Sequence, residues 1–150
     1  MAQLVYAETM AIKQINPYLN FNGDAAQAIK LYESALGAKV EHVSRFGEMP
    51  GSTVTPETKD RVMHATLRLG NGGLIMISDI QPGMPHNPGT NMYVCLDFDD
   101  ATDTTQKFEA LAVGGKVTMP LNDTFWGAKF GMLVDAHGVQ WMFNCELKKG

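Results

Sequence analysis

Basic residues are few in this chain and nowhere form a run. Lysine and arginine number 12 against 16 aspartates and glutamates, a net charge of −4. Nucleic acid and anionic membrane are thereby excluded as expected partners, because both select a positive patch. No apolar run approaches the roughly 20 residues of a spanning helix. The N-terminus lacks the basic segment and long apolar core of a signal peptide. Cysteine occurs only twice, Cys95 and Cys145, each within an apolar run and too far apart for a CxxC pair. Two buried free thiols in a reducing cytoplasm are the expectation, and nothing near either one would activate a nucleophile. A P-loop, a serine nucleophile elbow and an HExxH helix are also missing.

What is present is a message stated twice. Around Asn16 the chain reads N-P-Y-L-N-F, then an amphipathic stretch with Tyr32, then L-G-A-K-V ending at Val40. Around Asn91 it reads N-M-Y-V-C-L-D-F, then an amphipathic stretch with Phe108, then V-G-G-K-V ending at Val117. The offsets are 75 from Asn16 to Asn91, 76 from Tyr32 to Phe108, and 77 from Val40 to Val117. That is the mark of a tandem duplication, and the copies are too long and too few for a solenoid. The 150 residues are enough for one well-filled domain.

Each copy reads as β-α-β-β-β. In the first, the spacing predicts a strand over 14–21, a helix opened by Asp24 and closed by Gly37, and a strand over 39–46. Strands at 62–69 and 74–78 flank the G-N-G-G turn at 70–73. A loop with two prolines, 47–60, has no counterpart in the second copy. The second copy reads strand 90–98, a helix capped by Asp100 with Ala101, Thr105, Phe108, Leu111 and Ala112 buried, and strands 115–121, 130–135 and 139–145. The predicted organisation is an extension (1–12), module 1 (13–80), a linker (81–89), module 2 (90–146) and a tail (147–150). Within the extension, L-V-Y is β-prone and could add a short strand.

Strand alternation sorts a polar face from an apolar one. The polar sets are Asn16, Tyr18 and Asn20; His64, Thr66 and Arg68; Met76 and Ser78; Asn91, Tyr93 and Cys95; and Gln140, Met142 and Asn144. A concave surface of this kind suits a small molecule. His64 is the one histidine placed mid-strand on that face. It is a candidate general base or ligand anchor, with Arg68 beside it to hold an anion, or else a histidine hydrogen-bonded across the cleft without chemistry. Phe125 and Trp126 sit together in a turn, where they would plug the cleft, stack a ligand or anchor a subunit interface.

These features together resemble the vicinal oxygen chelate superfamily, which includes glyoxalase I, ring-cleaving dioxygenases and bleomycin-resistance proteins, and within it the PhnB-like branch. The resemblance rests on N-P-Y-L-N-F-N-G-D-A, F-G-E-M-P at 46–50, M-H-A-T-L at 63–67, M-I-S-D at 76–79, and above all D-T-F-W-G-A-K-F-G-M-L-V-D-A-H-G-V-Q-W-M at 123–142. It implies an α+β fold of two βαβββ modules whose curved mixed sheets surround a cleft, and a homodimer. From the polar faces and the turn aromatics, the candidate ligand contacts are Asn16, Tyr18, His64, Arg68, Asn91, Tyr93, Phe125, Trp126 and Asn144. The superfamily takes one metal ligand from the first and last strand of each module, usually His or Gln, Glu, His and Glu. The matching positions here are Asn16, Met76, Asn91 and Met142, none a histidine or carboxylate. No cofactor is therefore expected. A relocated metal site using His64 with Asp79 or Glu48 is the alternative, and with it lyase, isomerase or dioxygenase chemistry. A drug-sequestering protein is the third reading, and whether the chain catalyses anything stays open.

Overall fold

The computed structural model describes residues 11–51 and 54–147. The extension's L-V-Y segment lies outside them. The order is β1 (Tyr18–Phe21), α1 (Ala25–Leu36), β2 (Lys39–Arg45), a 3-10 turn (Phe46–Glu48), β3 (Val62–Leu69) and β4 (Gly73–Asp79). The second module follows with β5 (Val94–Phe98), α2 (Ala101–Ala112), β6 (Lys116–Asp123), β7 (Ala128–Val134) and β8 (Gln140–Glu146). Two four-stranded sheets result, ordered β1-β4-β3-β2 and β5-β8-β7-β6. Each is mixed: the β1–β4 and β5–β8 pairs are parallel and the rest antiparallel. This is the duplicated βαβββ architecture expected.

The first strand of each module is shorter than its hydrophobic pattern. Pairing begins at Tyr18 against Met76, and at Val94 against Trp141. Pro17 has no N–H to add to a ladder, though its carbonyl accepts from the Met76 N–H at 3.0 Å. Residues 91–93 lie before the first paired residue, where the Gln140 side chain bonds the Met92 carbonyl instead.

The helices form for the anticipated reasons, with two corrections. Ala25, Ala28, Ile29, Tyr32 and Leu36 are buried on one stripe of α1. Gly37 closes that helix in the left-handed conformation, with its N–H on the Glu33 carbonyl. Asp24, however, makes no cap hydrogen bond with its side chain. Asp79, at the far end of β4, does that work: its Oδ1 accepts from the Gly23 and Ala25 N–H groups and its Oδ2 from Val62 N–H. In α2, Asp100 caps as expected, accepting from Asp103 N–H at 2.7 Å. There the buried threonine is Thr104 rather than Thr105, and its hydroxyl returns to the Asp100 carbonyl.

One continuous buried cluster runs behind both sheets. It includes Phe21, Tyr32, Leu67 and Ile77 from module 1, and Phe108, Leu111, Leu133, Trp141 and Phe143 from module 2. The helices pack on each other as well as on their own sheets. Tyr32 crosses the boundary, its ring edge-on to Trp141 with centroids 5.3 Å apart. The opposite face of each sheet is thus left free of the core.

Candidate functional site

The strand register turns the outer face of sheet 1 into a lattice. One cross-strand row holds Tyr18, Met76, Thr66 and His42; the next holds Asn20 beside Ser78 and Ser44 beside His64. Side chains in a row stand about 5 Å apart. The Tyr18 hydroxyl reaches diagonally across β4 to lie 3.1 Å from His64 Nδ1. Thr66 Oγ1 is 3.4 Å from His64 Nε2. The phenol can donate to Nδ1 while Nε2–H donates to the threonine, which fixes the imidazole between two hydroxyls. Ser78 donates to the Asn20 side-chain oxygen at 3.0 Å.

Arg68 has a different occupation from the one expected. Its guanidinium is engaged side-on by Glu41, with Nε to Oε2 at 2.8 Å and Nη2 to Oε1 at 3.0 Å. That bond holds the Glu41 carboxyl below its usual range. The edge that would have held an anion is already filled.

A cavity of about 520 Å³ opens between the edge strand β1, the proline-rich linker and the start of module 2. It gathers Asn16, Tyr18, Tyr93 and Gln140 from the expected polar faces, together with Met92 and His86, which pattern reasoning missed. The His86 ring lies 3.2 Å from the Asn20 carbonyl and so ties the linker to the β1 edge. The three prolines around His86 were the available signal, since they hold a chain extended along an edge. A second cavity of about 610 Å³, between the segment that leads into β1, the β3–β4 hairpin and β5, takes in Arg68 and Asn16.

The remaining expected residues lie elsewhere. Asn91 is exposed before β5. Asn144 donates to Asp97 at 3.0 Å on the outer face of sheet 2. Phe125 is 97% exposed and Trp126 59%, so neither plugs a cleft; Trp126 leans on Phe130 of β7. Cys95, expected buried, is exposed, because residue parity puts it on the outer face; Cys145 is buried as expected. His137, in the β7–β8 turn, bonds Asp24 at 2.8 Å and joins the modules.

The four positions matching the family's metal ligands carry no imidazole or carboxylate. Met76 pairs with Tyr18 and Met142 with Cys95, while Asn16 and Asn91 precede the paired residues of their strands. Amides and thioethers are in any case poor donors for the borderline and hard ions that imidazole and carboxylate hold. Of the relocated set, Asp79 does not face His64. Asp79 shares the core-side parity of Ile75 and Ile77, is 3% exposed and spends both oxygens on backbone N–H groups. His64 projects from the opposite face. Among the described residues no three of His, Cys, Asp and Glu gather around one point.

The residues from 14 to 143 match the Glyoxalase/Bleomycin resistance protein/Dioxygenase superfamily. The chain belongs to that superfamily. Among curated relatives, Protein YjdN of Escherichia coli K12 is 34% identical over 142 residues, covering 87% of this chain and 93% of YjdN. Among solved structures, PA1353 of Pseudomonas aeruginosa is 40% identical with a TM-score of 0.81, covering 91% of this chain and all of that one. The PhnB protein of Bacillus cereus, described as a candidate 3-demethylubiquinone-9 3-methyltransferase, is 27% identical with a TM-score of 0.69, covering 89% and 99%. The glyoxalase-superfamily fold and the PhnB-type likeness therefore stand together. No helix among the described residues is long and apolar enough to cross a membrane.

Proposed function

We propose that this superfamily member binds a neutral, hydrogen-bonding small molecule on the outer face of module 1 and in the adjoining cavity. The observation that carries the reading is the Tyr18–His64–Thr66 set, a histidine held between two hydroxyls at 3.1 and 3.4 Å. Tyr18 also lines the 520 Å³ cavity and so links anchor to space. With Arg68 engaged by Glu41, the Tyr18–His64–Thr66 set offers hydrogen-bond donors and acceptors rather than an open guanidinium. Binding proceeds without the superfamily's usual metal, because the donor set at the matching positions does not suit it.

The same reading places the protein in the cytoplasm as a homodimer. Unpaired Cys95 and Cys145 support the first. The exposed Phe125 and Trp126, and Ile15 and Met92 at 89% and 76% exposure, support the second. Methyl transfer of the kind named for the Bacillus cereus relative finds no support in the usual cofactor cradle. G-N-G-G joins two antiparallel strands here, rather than a strand to a helix.

A thermal-shift screen of metabolites and toxins, followed by calorimetry, tests the proposal. Hits should bind wild type, weaken in Tyr18→Phe and His64→Ala, and be insensitive to added Zn²⁺ or Mn²⁺. Hits that bind both variants as tightly as wild type would sink it. Recovery of the hit unchanged separates sequestration from turnover.

A further inference from the structure

The strand register brings together four sulfur side chains that are scattered in sequence. Cys95 on β5 pairs with Met142 on β8. Met142 pairs with Met132 on β7, and Met132 pairs with Met119 on β6. Every strand of sheet 2 thus places one sulfur residue in a single row. On β7 and β8 the row lies on the outer face, since the alternating residues Trp141, Phe143 and Leu133 are fully buried behind it; on β6, register shifts on either side of Met119 bring it opposite Met132. The next row, Asp97, Asn144, Phe130 and Asn122, contains no sulfur.

We propose that this row is a soft-metal site, with Met119, Met132 and Met142 as thioether donors and Cys95 as an additional sulfur, fitted to a monovalent cation of the Cu(I) or Ag(I) type. Thioether and thiolate sulfur are soft donors that select such ions over hard ones. Directly opposed side chains on a sheet have Cβ atoms about 5 Å apart. The three rotatable bonds of methionine let neighbouring sulfurs turn toward one ion. The site is reachable: Met119 is 43% exposed, Cys95 is exposed, and Met132 and Met142 are half-buried.

The thioethers carry the site. They are neutral, so they bind without losing a proton, which suits a singly charged ion. Partial burial and the neighbouring Asp97 push the Cys95 thiol up, so in the metal-free protein it is a thiol at neutral pH. On joining the metal it would release that proton to water. The corresponding row of sheet 1, Tyr18, Met76, Thr66 and His42, has a single sulfur. The duplicated position has therefore diverged into a hydrogen-bonding row in one module and a sulfur row in the other. This inference is independent of the ligand proposed above, which uses the other sheet.

The test is titration of the full chain with Ag(I), which needs no reductant, in wild type and in Cys95→Ser. Calorimetry and native mass spectrometry read the stoichiometry. Methyl NMR of labelled methionine reads the donors. One ion per chain is expected in both proteins, with the Met119, Met132 and Met142 methyls shifting and those of Met63 and Met84 still. Met132→Leu with Met142→Leu, a near-isosteric pair that should fold, should weaken binding by at least about a hundredfold. Tenfold excess Zn²⁺ should not compete. The proposal is overturned by absent binding, by binding that vanishes in Cys95→Ser alone, or by unmoved thioether methyls. The wild-type NMR decides even if the double variant misfolds.

Discussion

Tyr32 and Asp135, 103 residues apart, are joined by a 2.6 Å hydrogen bond in which the phenol donates to Oδ2. Both residues are buried, and they come from different modules. The carboxylate has three further donors: Trp141 Nε1 on the same oxygen, and the His137 and Val139 N–H groups on Oδ1. Among the described residues no cation forms an ion pair with Asp135, and hydrogen bonds hold it. The helix of one copy therefore completes the β7–β8 turn of the other, which makes the two modules one folding unit.

Replacing Tyr32 with Phe should cost about 2 kcal/mol, the worth of a hydrogen bond to a buried charge. It should also change the alkaline limb. Burial, and then the Asp135 carboxylate, push the Tyr32 phenol far above its ordinary value of 10.0. The folded chain keeps this proton while the unfolded chain loses it. The contribution is therefore complete below pH about 10 and falls by about 1.4 kcal/mol per pH unit above it. Urea unfolding at pH 8 to 11 should show the wild type losing its advantage over Tyr32→Phe as pH rises. A constant difference across that range would contradict the assignment.

Asp79 and Asp24 make opposite predictions from what their sequence positions suggest. Asp79→Ala strips the acceptor from three backbone N–H groups and should cost about 3 kcal/mol. Asp24→Ala loses a partly exposed contact to His137 and should cost under about 1 kcal/mol. Denaturant midpoints decide between the two. An Asp24 variant as damaged as the Asp79 variant would restore Asp24 as the effective cap.

The periodicity of this chain revealed the duplication, both helices and all eight strands, because burial imposes 3.6- and 2-residue patterns directly on the sequence. Contacts made across the chain were not legible in that way. Asp24 looked like a cap by position, yet the third dimension brought Asp79 to the same N–H groups. Arg68 looked free until β2 placed Glu41 beside it. Asn16 and Asn91 matched each other by local motif at an offset of 75, whereas the registers make Tyr18, opposite Met76, equivalent to Cys95, opposite Met142, at an offset of 77. The sulfur row has no sequence signature at all, since its members come from four strands and only the register aligns them.

Gly131 is the tightest point between α2 and sheet 2 that a small substitution can probe. A Cβ there would stand 2.9 Å from the Phe108 ring and 3.0 Å from the Leu121 Cα. Its backbone is not in the left-handed region, so the barrier is steric. Gly131→Ala should destabilise by about 1–3 kcal/mol through overpacking. Pairing it with Phe108→Leu should recover part of the loss, which a double-mutant cycle would read as coupling. Strict additivity would locate the clash elsewhere.

The outer face of sheet 1 separates two readings of its charged and polar groups. If the ligand is neutral and held by the Tyr18–His64–Thr66 set, Tyr18→Phe should lower affinity about fivefold, the worth of one hydrogen bond of about 1 kcal/mol. His64→Ala should cost more, because it removes the group both hydroxyls address. Arg68→Ala should change affinity little, since Glu41 already occupies its fork. If the ligand is an anion that displaces Glu41, the order reverses: Arg68→Ala becomes the most damaging change and Glu41→Gln tightens binding. Affinities of one hit for these four variants, measured at two salt concentrations, decide the case. Only the anion reading predicts a strong loss of affinity with salt.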